Sequence, residues 1–176
     1  TIPTSVFNNL IVTNGNGVSL GGNITVNGTL TLNGGQLKLG NYNLTLGGAT
    51  PAVAGYNMSV ITNGTGSLRK IFTSPGSYIF PVADAAGIMS YATLDFASGT
   101  FAPGAYASVQ VINTKEPNIG STTNYLNKYG TIGQSGITGF SCTVSGNYRN
   151  WADIVPANTE SNLYAAEYTN SAWTYF

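Results

Sequence analysis

Apolar pairs recur along residues 7 to 48. Six short segments each carry two apolar residues separated by one: Leu10/Val12, Val18/Leu20, Ile24/Val26, Leu30/Leu32, Leu37/Leu39 and Leu44/Leu46. Their starts advance by 8, 6, 6, 7 and 7 residues. Period-two alternation puts both members of a pair on one face of an extended strand and the residue between them on the other. The segments are separated by Asn and Gly, in Asn14-Gly15, Asn16-Gly17, Asn27-Gly28 and Asn33-Gly34, which suit tight corners. A meander of very short hairpins fits this pattern, because Asn-Gly is the strongest two-residue hairpin signal. A three-sided β-solenoid with faces of six to seven residues also fits, and the even spacing of such short strands favours it. In a three-sided coil Thr25 lies under Thr45, and Thr31 beside Ile11. Six faces make two coils, fewer than the roughly three that stacked repeats need to bury a continuous core. The stub is therefore expected to lean on the rest of the chain or on a neighbouring subunit.

From Gly55 onward the rhythm changes to longer, aromatic-rich strands. They are expected at Met58 to Thr62, Leu68 to Thr73, Ser77 to Val82, Tyr91 to Ala97, Ala105 to Asn113 and Gly139 to Tyr148, with a closing hairpin from Leu163 to Phe176 that turns near Asn170-Ser171. Thr114 to Thr123, with Pro117 and Gly120, reads as a loop, and no stretch has the pattern of an amphipathic helix. The expected fold is all-β: short solenoid-like N-terminal rungs (1–54) packed on an antiparallel β-sandwich (55–176), as two regions or one continuous domain.

Charge changes the picture next. Only 7% of the 176 residues are charged, against about 25% in typical soluble domains. The surface must be covered by Asn, Thr, Ser and Gly, and self-association meets little repulsion. Residues 1 to 83 hold Lys38, Arg69 and Lys70 with no acid, a charge of +3, and residues 84 to 176 are −3. The six cations form no basic stripe, which argues against nucleic acid as a partner. No apolar run approaches the roughly 18 residues of a membrane span. Cys142 is the one cysteine, so no internal disulfide forms. It sits in the alternating run Phe140, Cys142, Val144 and is expected to be buried on the apolar face.

Several stretches resemble a known family. They are Gly66-Ser67-Leu68-Arg69-Lys70, Gly76-Ser77-Tyr78-Ile79-Phe80-Pro81-Val82, Leu126-Asn127-Lys128-Tyr129 with Thr131-Ile132, Gly136-Ile137-Thr138-Gly139-Phe140, and Ser171-Ala172-Trp173-Thr174. Together they resemble a recurrent module of large secreted surface proteins of Bacteroidota. Members of that family often carry an aromatic where this chain has Gly130. The resemblance implies export, modular arrays at the cell surface, and adhesive or structural roles. The opening Thr1-Ile2-Pro3 reads as a processed end or an excised fragment, and the ending inside a strand-like run as truncation or a strand finished by a partner.

Candidate chemistry is sparse. With no histidine, the usual general base, the usual triads and the commonest metal ligand are missing. The glycine runs lack the lysine of a phosphate-cradling loop. Glu160 with Glu167, or Asp84 with Asp95, are the carboxylate pairs that glycoside hydrolysis would need, but their spacing does not favour that over surface charge. Calcium requires carboxylates that residues 1 to 83 lack; Asp153, Glu160 and Glu167 could gather only by folding. The expectation is a non-enzymatic structural module without cofactor, joining copies of itself or neighbouring modules head to tail. Val6, Phe7, Leu10 and Val12, in an expected strand Val6 to Thr13, and Trp173, Tyr175 and Phe176 are the candidate joining strands. Two alternatives stand beside it. Tyr148, Trp151, Tyr168 and Trp173 could stack on glycans, and the outward Ile11, Ser19, Thr25, Thr31, Lys38 and Thr45 could form an ice-binding face.

Overall fold

The computed structural model describes residues 1–47, 59–156 and 159–176. Its early strands are short: β1 (Ser5–Phe7), β2 (Leu10–Val12), β3 (Val18–Ser19), β4 (Ile24–Val26), β5 (Leu30–Leu32), β6 (Leu37–Lys38), β7 (Leu44–Leu46), β8 (Val60–Ile61), β9 (Leu68–Ile71), β10 (Gly76–Phe80) and β11 (Val82–Ala83). Then come β12 (Ala92–Ile112), β13 (Tyr125–Leu126), β14 (Tyr129–Gly146), β15 (Ile154–Val155), β16 (Ala166–Thr169) and β17 (Ala172–Tyr175). The helical segments among the described residues are α1 (Asn150–Asp153) and a 3-10 turn at Glu160–Asn162. The chain is nearly all β, with a β-solenoid of about 3 turns and further sheets.

Parallel ladders decide between meander and solenoid, because a hairpin pairs its strands antiparallel. One face is the parallel stack β1-β4-β7-β9, a second is β2-β5, and a third is β3-β6-β8-β11. Thr25 stands opposite Thr45, and Ile11 opposite Thr31, as a three-sided coil requires. The apolar pairs point inward: Ile24, Val26, Leu30, Leu32, Leu37, Leu39, Leu44 and Leu46 are all buried. Each such side chain contributes roughly 1.5–3 kcal/mol when removed from water.

The Asn and Gly positions are corners of the coil. Asn23 Oδ1 accepts the Asn43 N–H at 2.8 Å, and Asn43 Oδ1 accepts the Ser67 N–H at 3.1 Å, so a ladder of side-chain amides runs from one coil to the next. Asn9 Oδ1 accepts from Thr29 in the same way. Coils approach closely here. A Cβ added to Gly66 would lie 1.9 Å from the Tyr42 carbonyl oxygen, so only glycine fits.

The chain separates into two compact units: Thr1–Ile112 with Gly130–Asn147, and Asn113–Tyr129 with Tyr148–Phe176. The expected division at 54/55 falls outside the described residues, and the coil continues beyond it in β8, β9 and β11. In the first unit β9 has β7 on one edge and β12 antiparallel on the other; β10 and β14 also pair with β12. The antiparallel sheet is thus a solenoid face continued. Thr62, buried in the coil, ties the two together: its Oγ1 accepts the Val111 N–H at 3.0 Å. Phe72, Phe96 and Phe101 pack edge-on or tilted beside them.

Several boundaries differ from the sequence expectation. Val6 to Thr13 is not one strand but β1 and β2 separated by the Asn8-Asn9 corner. The two strands expected at Tyr91–Ala97 and Ala105–Asn113 are one 21-residue strand. Gly104 takes φ +77° within it, so the chain bends without leaving the ladder. The strand expected from Gly139 is the second part of β14, which begins at Tyr129. Met58 lies outside the described residues, whereas Val60–Ile61 is β8.

In the second unit β13 pairs with β15, and β16 with β17. Asn170 and Ser171 both have positive φ, as a two-residue type I′ hairpin requires. Asp153 organises the α1 end. Its carboxylate lies 3.3 Å from Lys128 Nζ and 2.9 Å from Arg149 Nη2, and it accepts the Arg149 N–H at 2.7 Å.

Candidate interaction surfaces

The first coil is open on one side. Phe7, Leu10 and Val18 stand opposite Val26, Leu30 and Leu37 of the second coil. The second-coil residues are fully buried, but their first-coil counterparts, with Ile2, are only half-buried. The cause is a missing layer: β1, β2 and β3 each have one parallel neighbour among the described residues. Of the candidate joining residues at this end, Val12 is buried, Phe7 and Leu10 are half-buried, and Val6 is exposed. The outward column on one face reads Val6, Thr25, Thr45, Arg69, so two threonines sit between an apolar and a cationic residue.

The far side of the coil stack carries a buried cation. Lys70 is buried, donates to the Gly47 and Ile71 carbonyls at 2.8 and 2.7 Å, and lies 5.8 and 5.6 Å from the ring centroids of Phe72 and Tyr78. Burial pulls its pKa below the usual lysine range and pushes the Tyr78 phenol well above its own. A lysine in an alternating strand gives no signal of this. Its inward position is visible only as the parity of Leu68 and Lys70.

The candidate residues at the other end of the sequence lie in the second unit. Tyr168 and Trp173 are cross-strand partners with ring centroids 5.0 Å apart, and Trp173 Nε1 donates to the Asn118 carbonyl at 3.3 Å. Tyr175 stands two residues from Trp173 and so shares its face. Tyr175 and Phe176 are largely exposed, as is Trp151. The Tyr148 hydroxyl donates to Glu160, whose other oxygen accepts from Asn150 at 3.0 Å. That bond is the main cause of a raised Tyr148 pKa.

The acids have other engagements. Burial works to raise the Asp153 pKa, but the hydrogen bonds from Arg149 and the charges of Lys128 and Arg149 outweigh it and hold the carboxyl below its usual range. Asp84 is fully buried, and its Oδ1 accepts the Ala86 and Ile88 N–H groups of a turn. No cluster of three or more His, Cys, Asp or Glu side chains suited to a metal occurs among the described residues.

Cys142 is free, as expected, but only half-buried. Its neighbours on the same face, Phe140 and Val144, are exposed. Phe140, Cys142 and Val144 do share one face, but that face lies on β14, the outermost strand beside β12 among the described residues, where the core has run out. Burial still raises the thiol's pKa. Comparison of the chain with protein-family models, with curated proteins and with solved structures finds no match.

Proposed function

We propose that this protein is a non-enzymatic structural module of an extracellular bacterial surface protein or fibre, and that it joins its neighbours end to end through the first coil. The observation that carries the reading is the half-buried row Ile2, Phe7, Leu10 and Val18 beside three open parallel strand edges. Another layer of coil, from a second copy or an adjoining module, would bury that row as the first coil buries the corresponding row of the second, and would satisfy the free N–H and C=O groups. A surface with so few charges favours such packing.

The experiment is deletion of Thr1 to Asn8 followed by electron microscopy of the assembled protein. The deletion removes β1 and part of the apolar row, so ordered end-to-end assembly is expected to be lost. Unchanged assembly overturns the joint.

A glycan-binding reading has one observation of its own in favour: Tyr168, Trp173 and Tyr175 share one face of the β16–β17 hairpin opposite small Ala166. Such a platform suits the apolar face of a sugar ring.

A further inference from the structure

The outer edge of β14 is a second unpaired row, far along the sequence from the first coil. β14 runs 18 residues and pairs only with β12 among the described residues, so its other edge presents its outward N–H and C=O groups to solvent. Edges of this length are normally guarded by lysine, by other charges or by proline. Tyr129–Gly146 contains no charged residue and no proline. Apolar side chains line it instead, with Ile132 48%, Phe140 45% and Val144 52% exposed.

We propose that this edge pairs with the same edge of a second copy, antiparallel about a two-fold axis at Cys142. An isologous joint sets the strand against itself, so any charged residue in it would meet its own kind or a near neighbour. β14 is free of that penalty. A two-fold perpendicular to the sheet keeps the faces of both copies aligned, so residues of equal parity meet. Centring it on Cys142 sets Phe140 against Val144 of the other copy, and Ser141 against Thr143. The apolar face then continues across the joint, and two aromatic–β-branched pairs form, a favoured cross-strand combination. Gly139, at φ +58°, ends the regular stretch on one side, which leaves Phe140 to Val144, symmetric about Cys142, as the pairing segment. This side-by-side joint is independent of the end-to-end reading and uses different residues.

The test is sedimentation equilibrium of the intact chain under reducing conditions, with Val144→Lys as the variant and circular dichroism as the check on folding. The intact chain is expected to dimerise, and Val144→Lys to weaken the dimer by at least about tenfold, because both Phe140–Val144 pairs are lost and two lysines enter the joint. A short bis-maleimide should link the intact chain into dimers through Cys142. It should fail on Thr138→Cys in a Cys142→Ser background, because residue 138 would face residue 146 rather than itself. A chain that stays monomeric at millimolar concentration, or a dimer indifferent to Val144→Lys, overturns the proposal. Truncating Thr1 to Asn8 should leave this dimer intact, which separates it from the end-to-end joint.

Discussion

Asp153 shows how much one side chain settles in the second unit. It holds Lys128 and Arg149 together with the start of α1, and both ends of the Lys128–Asp153 pair are buried. Breaking such a pair by removing one partner costs about 3–5 kcal/mol. Asp153→Asn is therefore expected to lower the denaturation midpoint followed by tryptophan fluorescence, since both tryptophans, Trp151 and Trp173, lie in that unit. The carboxyl's pKa is depressed by folding, so its contribution is complete above the ordinary value of about 4 and disappears as the pH falls through the lower folded value. An acid titration should show this loss in the native chain and not in Asp153→Asn. None of it was legible in the sequence: Lys128 and Asp153 are 25 residues apart, and a charged residue in a loop looks the same whether it is solvated or paired.

Among the elements, the coil was legible because its signal is local and repeated. Apolar pairs such as Leu30/Leu32 give strand and facing together, and their spacing gives the length of a face; the number of sides is set by the parallel registers. The Asn corners were read as turns, but their second role, accepting the N–H of the next coil, depends on stacking. Asn43→Ala removes the acceptor for Ser67 N–H and should cost about 1 kcal/mol, whereas Asn43→Asp keeps an acceptor and should cost less. Thermal unfolding of the two variants side by side checks the order. The long strands were harder. β12 passes through Gly104, and β14 through Gly136 and Gly139, residues that read as turns in sequence and serve here as bends within a ladder.

At the scale of the molecule, charge changes meaning once the units are known. The sequence halves carry +3 and −3, but the first compact unit holds Lys38, Arg69 and Lys70 against Asp84 and Asp95, and the second holds Lys115, Lys128 and Arg149 against Glu116, Asp153, Glu160 and Glu167. The difference shrinks to +1 and −1, so charge gives little direction to an end-to-end joint. Assembly through the coil end is accordingly expected to change little between low and high salt, as light scattering would report; a steep loss with salt would instead assign the joint to ion pairs.

The sequence by itself determined the all-β class, the short strands with their inward residues and the scarcity of chemistry, and it favoured the coil that the parallel ladders decided, because alternation, corner residues and composition are local properties of the chain. Only the tertiary structure decided that the coil runs on through β9 and β11, that Lys70 lies buried, and that the apolar face at Cys142 is left open. These depend on which strand lies beside which. Parity assigns a residue to a face, but whether that face is covered depends on neighbours brought together from distant parts of the chain.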